Sequence, residues 1–217
     1  MNKLKLMYDV VKTLRSKEVI AGVFTADVQK DQAKIFSLQN EFEKNLITCQ
    51  VKAKINTELD YDGKLLKHES NSEFTLPHFC GHSHHQGRPL HHHGHAFRHG
   101  GIKGKLTRLS LALSILNAVQ AAEQENKTIV LSLNANDLPE DMKVLLREKI
   151  SHADAHHPHH GLMKEFCTVD QLNFVVNVFI NKNYEIEKVV ATLGGSRSDE
   201  HHEQHDLNAR VELSFTW

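Results

Sequence analysis

Residues 51–74 read VKAKINTELDYDGKLLKHESNSEF, and this stretch predicts a β-hairpin. Apolar or β-branched residues occupy every second position from 51 to 59, and polar residues fill the positions between them, as in a strand with one buried face. Asp62 and Gly63 form a tight-turn signal, after which the alternation resumes from Leu66 to Phe74. The sequence therefore predicts two antiparallel strands joined by a short turn.

Strand-like and helix-like patterns lie on both sides of this hairpin. Six further runs have strand patterns, at 19–28, 34–44, 128–135, 172–180, 186–193 and 207–217. The spacing of apolar residues predicts three helices, at 4–14, 102–119 and 137–150. The links are of hairpin length, without repeated βαβ units, which indicates an α+β fold. We expect one domain over 1–217, an antiparallel, curved sheet of about eight strands with helices packed on one face.

Composition excludes several classes of protein. The chain of 217 residues is 40% hydrophobic and 24% charged, which is typical of a folded globular domain. Its 26 Lys and Arg residues balance 27 Asp and Glu residues, so we expect no nucleic-acid partner. The first residues contain no secretion signal, and no apolar run approaches the roughly 20 residues of a membrane-spanning helix. Three cysteines at unrelated spacings indicate no disulfide framework, and we expect a cytoplasmic protein.

Histidine is the unusual component of this chain. Seventeen of the 18 histidines lie in three windows, at 78–99, 152–160 and 201–205. No apolar periodicity runs through these windows, so we expect three His-rich loops, at 77–101, 152–161 and 195–206.

The chemistry that fits such loops is the binding of transition metals. Neutral imidazole is a suitable ligand for Zn, Ni, Cu and Co. His152 and His156 are four residues apart at the end of a predicted helix, a spacing that lets two imidazoles share one ion. The candidate ligands are the histidines of the three windows and one cysteine among them: His78, Cys80, His82, His84, His85, His91, His92, His93, His95, His99, His152, His156, His157, His159, His160, His201, His202 and His205.

The number of candidate ligands also predicts the kind of metal protein. A structural zinc site needs only four ligands, so an excess of histidine favours storage, buffering, delivery or sensing of metal. The sequence has no GxSxG, HExxH or GxGxxG motif, and we expect no enzymatic activity.

Strand order adds a geometric expectation. If the last three strands form an up-and-down meander, the loop that enters the first and the loop between the second and third lie at one end of the sheet. The histidine windows 152–160 and 201–205 belong to those two loops. They would then be neighbours in space.

The order of elements resembles the half-barrel of the LolA and LppX-type lipoprotein and lipid carriers of bacteria. The resemblance covers most of the chain and rests on that order, an N-terminal helix, a strand meander, helices and further strands, with no diagnostic motif. It implies an apolar cavity between the sheet and a helix such as 106–119, which would hold a lipid or another hydrophobic ligand. A carrier of this type is therefore the alternative to metal binding, and an interaction module without a small ligand is a third hypothesis.

Overall fold

The computed structural model describes residues 2–61, 63–76, 110, 112–144, 173–198 and 204–217. These residues include nine strands: β1 (Val19–Lys30), β2 (Ala33–Asn45), β3 (Gln50–Tyr61), β4 (Lys64–Thr75), β5 (Gln120–Glu123), β6 (Ile129–Asn134), β7 (Asn173–Ile180), β8 (Ile186–Ser198) and β9 (Gln204–Thr216). They also include three helical segments, α1 (Lys3–Arg15), α2 (112–118) and α3 (140–144), and a single 3-10 turn at Ala135–Asp137.

The strands form one antiparallel sheet in the order β4-β3-β2-β1-β9-β8-β7-β6-β5. Two up-and-down meanders, β1 to β4 and β5 to β9, join where β1 pairs with β9. Gly22 lies in this seam, where a Cβ atom would come within 2.2 Å of the carbonyl oxygen of Ser214. The absence of a side chain therefore lets the two strands approach. The outer strands β4 and β5 do not pair with each other, so the sheet is open.

The register gives the sheet one apolar and one polar face. Directly paired residues from β1 to β6 form an apolar row of Phe24, Leu213, Val189, Val178 and Leu131. The adjacent row points to the opposite side and consists of Thr25, Glu212, Val190, Asn177 and Ser132. Side chains alternate between the faces of a sheet, so the sequence alternation produces this division.

The structure confirms antiparallel pairing, but the prediction of an α+β fold with helices packed on one face is wrong. The described chain is predominantly sheet, its helices are few and short, and packing of helices over one face is not shown. The ninth strand is β5, which sequence analysis missed because four residues are too short to show a period. None of the described helices has the length and apolarity to cross a membrane, as expected.

The orientation of α1 also differs from the prediction. The apolar spacing that predicted a helix at 4–14 includes Leu4, Met7 and Val11, and we would expect that side to be buried, yet these residues are 61%, 48% and 45% exposed. Leu6 is instead 3% exposed. The helix carries apolar residues on two sides, so periodicity alone could not select the buried side.

The C-terminal end of α1 is anchored to one end of the sheet. Lys17 forms an ion pair with Glu185 in the β7–β8 turn, and its Nζ atom lies 4.9 Å from the centre of the Trp217 ring. Asn181 Nδ2 donates a second hydrogen bond to the Glu185 carboxylate, at 2.9 Å. The hydrogen bonds from Asn181 and Lys17 lower the pKa of Glu185. We call this end of the sheet the Glu185 end.

Candidate functional site

The last three strands form an up-and-down meander, the condition on which the expected position of two histidine windows depended. Asn173 at the start of β7 lies opposite Gly194 in β8, which lies opposite Asn208 near the start of β9. The entry to β7 and the connection from β8 to β9 are therefore at one end of the sheet. The strands that adjoin the histidine windows 152–160 and 201–205 thus have the predicted arrangement, and we call this end the His205 end.

The third histidine window begins at the opposite end. It follows β4, whose last residue, Thr75, lies opposite Gln50, and the backbone N–H of Leu76 donates to the carbonyl of Cys49 at 3.0 Å. The start of β3 and the end of β4 belong to the Glu185 end. A strand of 12 residues is about 40 Å long. The end of β4 is therefore about one strand length from the starts of β7 and β9.

His205 is the candidate ligand that the structure describes, and it pairs with a carboxylate. Its Nδ1 atom lies 2.7 Å from Oδ2 of Asp31. The other carboxylate oxygen, Oδ1, accepts a hydrogen bond of 2.9 Å from the backbone N–H of Asp206, and the N–H of Asp31 donates to the Asp206 carbonyl at 2.9 Å. The β1–β2 turn is thus fastened to the start of β9.

The conformation of the turn places Asp31 there. Asp31 and Gln32 have φ angles of 50° and 67°, and Lys30 pairs with Ala33 around them. Two successive left-handed residues make a hairpin turn that matches the twist of the strands, and Asp tolerates this conformation better than most residues. The turn therefore presents the carboxylate to the neighbouring strand.

The electrostatics of the pair favour an ionised Asp31. The hydrogen bond with His205 is the main cause that lowers the pKa of Asp31, and the backbone N–H of Asp206 adds to the effect. When the neutral imidazole donates from Nδ1 to a carboxylate, its lone pair lies on Nε2. Metal-binding histidines commonly have this arrangement, in which a carboxylate orients the ring and makes it a stronger ligand.

Sequence analysis missed Asp31. The only local signal was a polar pair, Asp31-Gln32, between two strand-like runs, which is weak evidence for a turn. The contact with His205 depends on the pairing of β1 with β9, which joins residues 174 positions apart. No local pattern encodes that pairing.

The other candidate ligands lie outside the described residues: His78, Cys80, His82, His84, His85, His91, His92, His93, His95, His99, His152, His156, His157, His159, His160, His201 and His202. Within the described part of the chain, no group of three or more His, Cys, Asp or Glu side chains could hold a metal ion.

Cys49 corrects the interpretation of the cysteines. Its side chain is 2% exposed and disulfide-bonded, with a partner outside the described residues. The sequence spacing, which indicated no disulfide framework, did not reveal this bond, because spacing along the chain does not report which cysteines meet in the fold.

A cleft of about 470 Å³ with both polar and apolar lining residues opens at the His205 end. Its charged lining residues are Asp27, Lys34 and Arg210, and the polar ones include Gln29 and Asn208. Lys34 is ion-paired with Asp27, and Arg210 Nη2 lies 3.0 Å from the carboxylate of Glu212. The charges that line the cleft are thus nearly balanced, so we expect the cleft to bind a small cation or anion only weakly.

A second cavity, of about 220 Å³, has residues of both helices and strands in its lining. Its lining residues are almost all apolar and come from four elements: Lys3, Met7, Ala112, Ile115, Leu116, Val119, Leu131, Leu133, Val176 and Val178. The Lys3 ammonium donates to the carbonyl of Leu116 at 3.2 Å and also reaches that of Val119, which ties α1 to the end of α2.

Comparisons with known proteins identify no family. No family model matches the chain, and no curated protein matches it. Among solved structures, an N-terminal dehydratase from the difficidin assembly line is 12% identical, with a TM-score of 0.17, over 97% of this chain and 83% of that one. A bifunctional dehydratase-cyclase domain in ambruticin biosynthesis is also 12% identical, with a TM-score of 0.17, over 99% and 79%. At these scores the similarities carry no argument about fold or function.

Proposed function

We propose that the protein is a non-enzymatic binder of divalent transition metal, which it holds through histidines at the His205 end of the sheet. The observation that carries the proposal is the Asp31–His205 pair, in which a carboxylate lies 2.7 Å from Nδ1 of a histidine in one of the three windows. Zn is the natural probe, and Ni, Cu and Co share its preference for imidazole.

The strand arrangement supports the same end of the sheet for further ligands. His201 and His202 lie just before β9, and the 152–160 window, with five histidines, is in the segment that leads into β7. One imidazole alone binds metal weakly, whereas several imidazoles on short tethers raise the affinity because each bound ligand raises the effective concentration of the next. The proposal therefore assigns His205 as the ligand fixed by the sheet and the neighbouring histidines as its partners.

The test is an isothermal titration of tag-free protein with Zn²⁺ at neutral pH, repeated with His205→Ala and with His68→Ala. His68 is the matched control, since it is an exposed histidine in β4 outside the three windows. We expect saturable binding that His205→Ala weakens tenfold or more and that His68→Ala leaves unchanged. Binding that is absent, or equal in all three proteins, would contradict the proposal.

A second candidate function rests on the apolar cavity. About 220 Å³ is larger than the engineered cavities of roughly 150 Å³ that bind benzene, and smaller than the roughly 300–1,000 Å³ of drug-sized pockets. Met7, an apolar side chain of the lining, is 48% exposed. These features support a carrier of a small hydrophobic ligand, of the size of one aromatic ring or a short acyl chain.

Ligand-observed NMR with indole tests this second candidate. Ala112→Phe introduces a ring into the cavity, and Ala122→Phe, on β5 opposite Val130, is the control on the other face of the sheet. If the cavity binds ligand, the Ala112→Phe protein loses the indole signal change and the Ala122→Phe protein keeps it. Equal responses in the two variants would remove the cavity as a binding site.

A further inference from the structure

The edge of the sheet at β4 is open. Within the part of the chain that the structure describes, β4 pairs with β3 alone. Ten of its 12 residues are exposed, including Leu66 at 61% and Phe74 at 45%. An edge strand of this length presents unpaired N–H and C=O groups to which another strand can bond.

We infer that this edge pairs with β4 of a second copy of the chain, antiparallel, with the two-fold axis at Ser70. Such a contact is isologous, which means that both copies contribute the same residues. The residue numbers of any two facing residues therefore add up to the same total. With the axis at Ser70, Lys64–Thr75 of the two copies overlap along almost their full length. The two nine-stranded sheets would become one continuous sheet.

Charge complementarity selects this register. Lys67 lies opposite the partner's Glu73, and by symmetry Glu73 lies opposite the partner's Lys67. Within one copy, Lys67 Nζ already lies 3.0 Å from Glu58 Oε1, and Glu73 is the direct neighbour of Lys52. A row of four side chains would therefore cross the interface with alternating charge. Its order is Glu58, Lys67, the partner's Glu73 and the partner's Lys52. Opposite charges in directly facing positions stabilise a pair of strands.

The apolar residues agree with the charges. Leu66 lies opposite the partner's Phe74 in the same register, and both side chains belong to the apolar face, since Leu66 pairs with Leu59 and Phe74 with Val51. Two exposed apolar pairs would thus be covered, one on each side of the axis. An aromatic side chain facing an aliphatic one is a favourable cross-strand pair.

Neighbouring registers are unfavourable. If the axis moves one residue to Glu69, that carboxylate faces its own copy in the partner. If it moves one residue the other way, to Asn71, Glu69 faces the partner's Glu73. Like charges in directly opposite positions destabilise strand pairing, so the charges of β4 favour the axis at Ser70 over both adjacent positions.

Cysteine cross-linking tests the register. In the inferred dimer the two Ser70 residues face each other at a Cα separation of about 4.5–5.5 Å, which a disulfide can bridge. The matched control is Ser72→Cys, since Ser72 is on the same strand and face, with its Oγ 3.4 Å from that of Ser70. Two copies of residue 72 would be four positions apart, about 13 Å.

We expect Ser70→Cys to give a covalent dimer on mild oxidation, visible on a non-reducing gel, and Ser72→Cys to show only the background of the wild-type protein. Equal cross-linking of the two variants, or none in either, would overturn the inferred register.

Charge reversal tests the same interface without cysteines. An edge-to-edge contact of this kind is smaller than typical stable interfaces, so sedimentation velocity should show a dimer that forms reversibly as concentration rises. We expect K67E and E73K each to weaken dimerisation severalfold and K67E/E73K to restore it, because the double variant again places opposite charges in facing positions. E123K, on the other open edge, is the control and should dimerise as the wild type does. Circular dichroism establishes that each variant is folded, and a folded wild type that stays monomeric at all concentrations would overturn the inference.

Discussion

The two ends of the sheet each hold a carboxylate in a β-turn, but the partners of these carboxylates differ. At the Glu185 end the partners are the ammonium of Lys17 and the amide of Asn181. At the His205 end the partners of Asp31 are an imidazole and a backbone N–H. An ammonium stays protonated over the whole neutral range, whereas an imidazole can release its proton and bind a metal ion there. The first arrangement suits an anchor, and the second suits a ligand site.

The two carboxylates also differ in how much of each side chain is exposed to solvent. The side chain of Glu185 is 15% exposed, and that of Asp31 is 48% exposed. Water screens the second pair more than the first, so the Asp31 pair contributes less to folding. The comparison therefore predicts that changes at the Glu185 end act on stability and changes at the His205 end act on metal affinity.

The largest effect on stability is expected for Glu185→Ala. The substitution removes the acceptor of two hydrogen bonds, one of them charged, from a mostly buried position, and should lower the free energy of unfolding by about 2 kcal/mol. Urea denaturation measures it, with Glu187→Ala, an exposed carboxylate two residues away, as a control expected to change stability by less than about 0.5 kcal/mol. Similar losses in both variants would remove the Glu185 end as an anchor.

Asp31→Asn should chiefly affect metal binding. Loss of a carboxylate that orients a ligating histidine typically costs about 10–100-fold in metal affinity. Titration with Zn²⁺ measures the change, and Asp27→Asn is the control, because Asp27 lies on β1, which leads into the same turn, and is paired with Lys34. The comparison of the two ends would fail if Asp31→Asn left the affinity for Zn²⁺ unchanged while Glu185→Ala lowered it.

Acid should weaken both ends, in the same direction. The folded pKa values of Glu185 and Asp31 are both lowered, so each carboxylate stabilises the fold above the pKa of the unfolded chain, roughly 4. That contribution is lost as the pH falls through the folded pKa. The difference in urea midpoint between wild type and Glu185→Ala should therefore be smaller at pH 3 than at pH 7, and the corresponding difference for Asp31→Asn should be small at either pH. A difference that grows on acidification would have the wrong sign.

Local sequence patterns predicted most of the individual strands of this sheet, but little of how distant parts of the chain pack together. The alternation from Val51 to Leu59 and the Asp62-Gly63 signal identified the β3–β4 hairpin, and the meander of β7, β8 and β9 followed from three alternating runs. The seam between β1 and β9 could not be predicted, because it joins the two ends of the sequence. The side of α1 that is buried could not be predicted either, since Leu4 and Leu6 are equally apolar and only the position of the sheet distinguishes them.

The candidate site shows the same limit. The count of histidines marked His205 as a candidate ligand, but its pairing with Asp31 depends on a contact between a turn and a strand far apart in the sequence. The same seam that sequence analysis missed creates this contact.

The most direct test of the account measures whether the two histidine windows at the His205 end act as one site. Zn²⁺ affinity is titrated for the wild type, for a variant with Asn at the five histidines of 152–160, for one with Asn at the three histidines of 201–205, and for the combination. If one ion is shared, each single replacement abolishes the tightest site and the combination loses no more, a strongly non-additive result. Independent, additive losses, or a wild type without saturable binding, would contradict the account.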